Sequence, residues 1–402
     1  MANISKNLKA TAIFMLIFVV LPASALHQLI GVNIKIVYVL SMLSLLLIMH
    51  NKIRNKLSLR TAFMAISFLT FVLIASLISN NASQLLLGLS LLLMYSVSKL
   101  TVISDFFKHS SNFAFKFTVT LLFGAWIGFF YTLMGGEPLI CIDNPDGRLN
   151  CLYLTTFSNS DSIDFWRLIR PSGIFDEAGA LSFFAILMVC LNELYDGGKP
   201  RSFVLLSLGL VTLSLAHILC FLTYVTFFFR KQMVFILLAC VLFMGSLVNS
   251  VSKDSLLYLN LFQRFTINED GRLNGDNRSN QIDEFFSLLD NNISRYGNNV
   301  IVNEGGQDAG AIDQSSNPFS IWYSYGVLMW MTYAIVLGVL SYHMFDRNKS
   351  VQITSILLIM LLLQRPYIYS FYWGLAICTV IALMFENKFS KSTNSRLKKQ
   401  AM

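Results

Sequence analysis

Apolar residues gather along this chain in long runs carrying few or no charges, at residues 10–26, 34–50, 62–79, 85–100, 113–134, 181–194, 233–251, 319–344, 351–363 and 367–385. Each run is near, or somewhat under, the roughly 20 residues needed to cross the hydrocarbon core of a bilayer. The pattern predicts one membrane helix per run. Residues 202–229 form a further stretch that is several residues too long for a single tilted helix. A break near 212–217 makes it a hairpin of two short spans.

The charges decide between these two readings. With the hairpin there are twelve spans, and 20 of the 30 cations fall on one side, among them Lys6, Lys9, Lys52, Arg54, Lys199, Arg201, Arg230 and Lys231, together with the basic tail around Lys398. Short cytoplasmic loops collect lysine and arginine in this way. Without the hairpin, Arg230 and Lys231 face outward and every later segment inverts. The expectation is therefore an all-α polytopic membrane protein of about twelve helices with both termini in the cytoplasm, residues 1–402 forming a single integral-membrane domain. Lys6, Lys9 and the apolar run before Ala23-Ser24-Ala25 also resemble a cleavable signal peptide. Its removal would leave the orientation of the other spans unchanged.

Composition agrees with this reading. Hydrophobic residues make up 55% of the 402 residues and charged residues 13%, about half the charged share of a typical soluble domain. An ordinary soluble enzyme, a secreted disulfide scaffold and a nucleic-acid binder are excluded as readings of the whole chain. The net charge of +8 follows from where topology places the cations and does not require an anionic partner.

Two long outer loops remain, residues 135–176 and 252–317, of 42 and 66 residues. Loops of that length usually carry function. Outside the membrane the cations are Arg148, Arg167, Arg170, Arg264, Arg272, Arg278, Arg295 and Arg365, with only Lys35 and Lys253 as lysines, whereas the inner side holds 14 Lys and 6 Arg. Topology treats the two cations alike, so an excess of arginine outside has another cause. A guanidinium grips phosphate or carboxylate with two parallel hydrogen bonds and keeps its charge in a partly dry site. The functional reading is an anionic head group bound at the outer surface. The structural one is pairing with loop carboxylates such as Asp161, Asp164 and Asp283. The outer segments hold 10 cations against 17 anions, so any phosphate site is local rather than a bulk electrostatic trap.

Cys141 and Cys151 flank Asp143-Asn144-Pro145-Asp146-Gly147-Arg148. A three-residue turn at Pro145–Gly147 with Gly147 left-handed sets Asn144 opposite Arg148 and Cys141 opposite Cys151. A disulfide is expected there, in the oxidising compartment that the charges assign to this loop. Cys190, Cys220, Cys240 and Cys378 lie in spans and read as packing residues. In the second loop Ile282, Phe285, Phe286, Leu289 and Ile293 recur at helical spacing opposite Asp283, Asn291 and Ser294. They predict a short amphipathic helix, either covering a lipid-facing cavity or simply packing.

The segment Arg170-Pro-Ser-Gly-Ile-Phe-Asp-Glu177-Ala-Gly-Ala leads into the sixth span. Pro171 fixes the chain, Gly173 permits a close approach, Asp176 caps the helix and Glu177 falls in its first turn. At Arg170, Gly173, Phe175 and Glu177 the segment resembles the O-antigen and exopolysaccharide polymerases, in which an arginine, a glycine and a phenylalanine precede a glutamate. The proline that commonly follows that glutamate is Ala178 here. The layout of spans and loops is similar along nearly the whole chain. So is Asn317-Pro-Phe-Ser-Ile-Trp-Tyr-Ser-Tyr-Gly326 at the opening of the tenth span, where Tyr323 is a candidate substrate contact. Arg264 with Gly275 and Arg295 with Gly306 match an arginine-to-glycine spacing described for these families.

The resemblance implies a GT-C-like enzyme of the bacterial inner membrane whose active site faces the periplasm. It would transfer a glycan chain from undecaprenyl diphosphate to a sugar hydroxyl on a second lipid-linked repeat. Implied partners are that lipid-linked oligosaccharide, membrane lipid, a chain-length regulator and a flippase, with no nucleic acid. Guanidinium groups would stabilise the leaving diphosphate, and a carboxylate would take the proton of the acceptor hydroxyl. The catalytic candidates are Arg170, Arg278, Glu177 and Asp176, with helix capping the alternative for both acids. Arg167, Arg264, Arg272, Arg295 and Tyr323 are candidate substrate contacts. His217, at the hairpin turn, is either a phosphate contact or a packing histidine. No Asp-x-Asp pair or His/Cys cluster offers a metal site outside, so no cofactor is expected.

Two rivals stay open. Related ligases carry a loop histidine near the tenth span, yet His27, His50, His109, His217 and His343 all lie outside the long loops, which favours polymerase over ligase. A transporter would place ionisable residues at mid-membrane between pseudo-symmetric halves. These spans are almost free of carboxylates.

Overall fold

The computed structural model describes residues 2–53, 90–98, 106–143, 148–160, 169–195, 198–230, 318–370 and 372–386, with short pieces at 70, 88, 282–283 and 285–287. Of the predicted span at 62–79 only residue 70 is described, and the span at 233–251 lies outside the described residues. The fold is mostly helical, as expected. The chain groups into two compact units, residues 1–21, 34–110 and 278–402 in one and 22–33 and 111–277 in the other. Among the described residues one helix, His109–Leu133, is long and apolar enough to cross a membrane. The pair Lys6–Val20 and Ser24–Ile30 passes the same test only if taken as one broken span.

In the first unit α1 (Ala2–Phe14) continues into a π-helical turn, Met15–Val20, and stops before Pro22. The continuous span expected at 10–26 is therefore interrupted, because proline has no N–H to extend the ladder. After the break comes α2 (Ser24–Ile30), assigned to the second unit. Back in the first unit, α3 (Ile34–Ile53) buries Tyr38, Met42 and Leu45.

The second unit is built around a buried helix and a small sheet. Helix α4 (Phe106–Leu133) leads to β1 (Ile140–Asp143), β2 (Leu149–Tyr153) and β3 (Thr156–Ser160), a three-stranded antiparallel sheet in the order β1-β2-β3. The register pairs Cys141 with Cys151, as the turn arithmetic predicted, and the two are disulfide-bonded. Turn residues 144–147 lie outside the described residues. The third strand was not anticipated. Gly128 brings α4 against the tip of the sheet, since a Cβ there would overlap Thr156, and Thr155 Oγ1 donates to Gly124 O at 2.7 Å.

A cross-link closing so short a loop is worth about 2–3 kcal/mol in the chain-entropy account. Cys141→Ser should lower the thermal midpoint of the purified chain without preventing folding. An unchanged midpoint would show that the sheet holds without its disulfide.

Helix α5 (Ala178–Leu194) is buried along nearly its whole length, including Leu181, Phe184, Leu187 and Leu191. A helix apolar on all sides needs neighbours on all sides. Beside it run α6 (Lys199–Gly209) and α7 (Leu215–Phe228), joined through a 3-10 turn at Leu210–Thr212 and a left-handed Leu213 with φ 50°. The break predicted in 202–229 is thus present. The two arms rise only about 16 and 21 Å at 1.5 Å per residue.

Two polar layers lock this hairpin to α5. Near the turn, His217 Nε2 meets Leu206 O at 2.8 Å and its Nδ1 meets Ser182 Oγ at 3.1 Å. At the far end, Tyr224 OH and Ser202 Oγ both donate to Glu193 Oε1, at 2.7 and 2.6 Å, while Asn192 Nδ2 donates to Ser202 Oγ at 2.8 Å.

In the first unit, α8 (Ser320–Tyr325) and α9 (Val327–His343) replace the continuous span expected at 319–344. Gly326 separates them with φ 80°, a conformation open to glycine and costly for other residues. Helix α10 (Lys349–Gln364) is followed by a 3-10 turn at Tyr367–Tyr369 and α11 (Gly374–Glu386). Tyr333 OH donates to Leu362 O at 2.5 Å, and Thr379 Oγ1 donates to Ser98 Oγ at 3.1 Å.

Of the amphipathic helix expected in the second loop, only 282–283 and 285–287 are described, and they are helical. Phe285 is fully buried, stacked on Phe319 with centroids 5.3 Å apart, and Asp283 is exposed. Phe286, expected on the same apolar face, is 54% exposed.

Candidate functional site

The site lies in the second unit, where the chain passes from the sheet into α5. Arg170 precedes a short segment that runs antiparallel to β3. Phe157 N–H donates to Gly173 O at 2.8 Å, and Ser172 N–H donates to Phe157 O at 2.7 Å. Ser158 Oγ donates to Arg170 O at 3.2 Å. The backbone of Arg170 is therefore held by the sheet, and its side chain is half-buried.

Gly173 then turns the chain with φ 65°. Its N–H donates to Thr156 Oγ1 at 2.9 Å, and a Cβ there would stand 3.3 Å from both Leu121 Cδ1 and Leu181 Cδ1. A side chain would be both strained and crowded at this position. Phe175 follows, fully buried against Phe184 with centroids 5.4 Å apart. The anchor of Phe175 and the turn at Gly173 leave Arg170, Asp176 and Glu177 partly accessible around the start of α5.

The capping roles differ from expectation. Glu177 is the N-cap of α5, with φ −138° and ψ 148°, and its side chain makes no capping hydrogen bond. The N-cap position thus falls on Glu177 rather than on Asp176. The Asp176 N–H donates to Ser24 Oγ of α2 at 3.0 Å. Both carboxylates sit where the positive end of the helix favours negative charge.

Around these groups the structure adds residues that the sequence reading missed. Asn150 of β2 faces Asn159 of β3, and Asn150 Nδ2 donates to Gln28 Oε1 of α2 at 2.5 Å. Ser24 and Gln28 stand one helical turn apart on the same face of α2. The signal available in sequence was the polar pair in an otherwise apolar run, but Ala23-Ser24-Ala25 read instead as a cleavage motif. All three are buried. Burial also lifts the Tyr153 phenol above its ordinary value, so that hydroxyl stays protonated at neutral pH.

His217 is a packing histidine rather than a phosphate contact: it is 0% exposed, with Nε2 engaged by Leu206 O within the hairpin and Nδ1 by Ser182 Oγ of α5, so it has no atom left for a phosphate. Tyr323 lies on α8 in the first unit, half-buried. Arg167, Arg264, Arg272, Arg278 and Arg295 lie outside the described residues. Arg365 is 8% exposed at the end of α10, its Nη1 donating to Tyr367 OH. Among the described residues no three His, Cys, Asp or Glu side chains converge to hold a metal ion. Comparison with family models, curated proteins and solved structures finds no match to this chain.

Proposed function

We propose that this chain is a membrane-embedded polymerase of lipid-linked glycan repeats, with its reacting groups at the start of α5. The observation that carries the reading is one short segment that holds the Arg170 backbone on the sheet edge and sets two partly accessible carboxylates at the N-terminus of α5. The growing chain, carried on undecaprenyl diphosphate, is the donor. The sugar hydroxyl of a second lipid-linked repeat attacks the anomeric carbon and the carbon–oxygen bond to the diphosphate breaks. Glu177, backed by Asp176, takes the hydroxyl proton. Arg170 stabilises the charge that develops on the leaving diphosphate.

Membrane embedding is supported by what the helices expose. On α3 the exposed residues include Ile36, Val39, Leu40, Leu43 and Leu47, and on α9 Met331, Ile335, Val339 and Tyr342. These stripes recur at helical spacing and are apolar or aromatic, the inverse of a surface that meets water. Lys199 and Arg201 lie over Phe228 and Phe115 at the opposite end of α5 from Arg170. That placement suits cations on the cytoplasmic side and the arginine site on the periplasmic side.

Ile335 is 64% exposed. In water Ile335→Lys would change stability by no more than about 0.5 kcal/mol; facing lipid near mid-membrane it costs roughly 2.5–3.5 kcal/mol. The variant should therefore accumulate poorly in membranes, and normal abundance would contradict embedding at this face. For the chemistry, the reconstituted chain should convert lipid-linked single repeats into longer products, releasing one undecaprenyl diphosphate per linkage made. Failure to form any product with two repeats would remove the polymerase reading.

A further inference from the structure

The amide cluster beside the carboxylates asks for an occupant. Asn150 is 0% exposed, and its Oδ1 is buried without a partner among the described residues. The same holds for both Asn159 side-chain atoms, Nδ2 and Oδ1. A buried amide atom left unmatched costs about 1–3 kcal/mol, and native structures keep few of them. Three in one place, on directly paired strand positions that share a face of the sheet, amount to a buried polar set with unmet hydrogen-bonding capacity.

The chemistry of the set defines what fits. It offers acceptors at Asn150 Oδ1 and Asn159 Oδ1 and a donor at Asn159 Nδ2, with Gln28 already engaged through its Oε1. None of the three residues is charged. A phosphate would meet two acceptor oxygens, whereas a sugar hydroxyl both donates and accepts and so satisfies either kind of atom. The placement connects the cluster to the proposed base. Ser24 of α2 receives the Asp176 N–H, and Gln28, four residues and about 6 Å further along that helix, accepts from Asn150 Nδ2. On the opposite face of the same strand Ser158, next in chain to Asn159, holds the backbone of Arg170.

We infer that Gln28, Asn150 and Asn159 form the acceptor subsite, binding hydroxyl groups of the sugar whose oxygen attacks. This rests on the polymerase reading and adds to it a place for the neutral acceptor, apart from the arginines that hold the diphosphate. Asn150 and Asn159 then bind the ring and Gln28 orients Asn150.

The test uses the full chain in lipid nanodiscs, polymerising lipid-linked repeats, with the free repeat-unit oligosaccharide released by mild acid as competitor. Lacking lipid and diphosphate, that probe engages only the sugar subsite. It should inhibit the wild type, and the inhibition should weaken roughly tenfold in Gln28→Ala and in Asn159→Leu, the equivalent of one lost hydrogen bond. Asn159→Leu also separates binding from folding. If the amide is merely an unmet polar group, or holds only trapped water, replacing it with a similar apolar shape leaves stability equal or higher and inhibition unchanged. Inhibition equal in wild type and variants, or absent from an active wild type, overturns the subsite and leaves the polymerase intact. A wild type that makes no polymer removes the polymerase reading, and the subsite with it.

Discussion

Arg170→Ala should abolish long glycan chains while leaving the protein at normal abundance in the membrane. The separation between the two readouts follows from how this residue is held. Its backbone belongs to the sheet edge, through Ser158 Oγ to Arg170 O at 3.2 Å and the Phe157–Gly173 pairing that follows. Neither requires the guanidinium. The fold around it rests on Phe175, Gly173 and the disulfide-closed sheet, all intact in the variant. What is lost is the positive charge proposed to meet the departing diphosphate, and removing one such donor typically slows the chemical step by about 10²–10³. Arg170→Lys retains the charge but loses the planar fork, so its rate should fall between the two. Measured as undecaprenyl diphosphate released per minute by the reconstituted chain, near-wild-type turnover of Arg170→Ala would remove this arginine from the site.

The second large effect lies at the other end of α5 and acts on stability. Glu193 is 7% exposed, and one of its carboxylate oxygens accepts from both Tyr224 OH and Ser202 Oγ. Both donors are fully buried. Glu193→Ala removes the acceptor shared by two buried hydroxyls, leaving Tyr224 OH only its 3.4 Å contact with Lys199 O, and releases the ends of α6 and α7 from α5, at a cost of about 3 kcal/mol. Its thermal midpoint should fall well below that of the wild type. Glu193→Gln keeps an acceptor oxygen in the same place and should recover most of the loss. Glu193 lies near one end of α5 and Glu177 at the other, about 24 Å apart along the axis. The surviving Glu193→Ala protein should therefore turn over at close to the wild-type rate. An unchanged midpoint would mean that this cluster does not hold the hairpin, and a turnover loss larger than the loss of folded protein would tie it to the chemistry.

Much of this architecture could be read from local rules. The register of Cys141 and Cys151 follows from turn length alone, because an antiparallel hairpin has no free parameter left once its turn is set. The break at 210–214 follows from Arg230 and Lys231, since charge placement constrains topology over long separations. The partners of the site were less accessible. Ser24 and Gln28 reach Asp176 and Asn150 across more than a hundred positions of sequence, and no local periodicity encodes that contact. Nor does an apolar pattern register a break when glycine or proline lies within it. Pro22 and Gly326 sit inside runs that stay hydrophobic on both sides, so two spans that read as continuous are interrupted. His217 reads alike in sequence as a ligand or as packing, and only its burial and its two filled ring nitrogens distinguish them.

At the centre of the account is an outward-facing membrane enzyme that joins lipid-linked repeats end to end. Electrophoresis of surface glycan from cells lacking this chain tests it most directly. The predicted result is loss of the long ladder, with cores carrying a single repeat, restored by the wild-type chain and not by Arg170→Ala. A ladder unchanged by the deletion would contradict the account, and bare cores with lipid-linked polymer accumulating behind them would assign the chain to ligation instead.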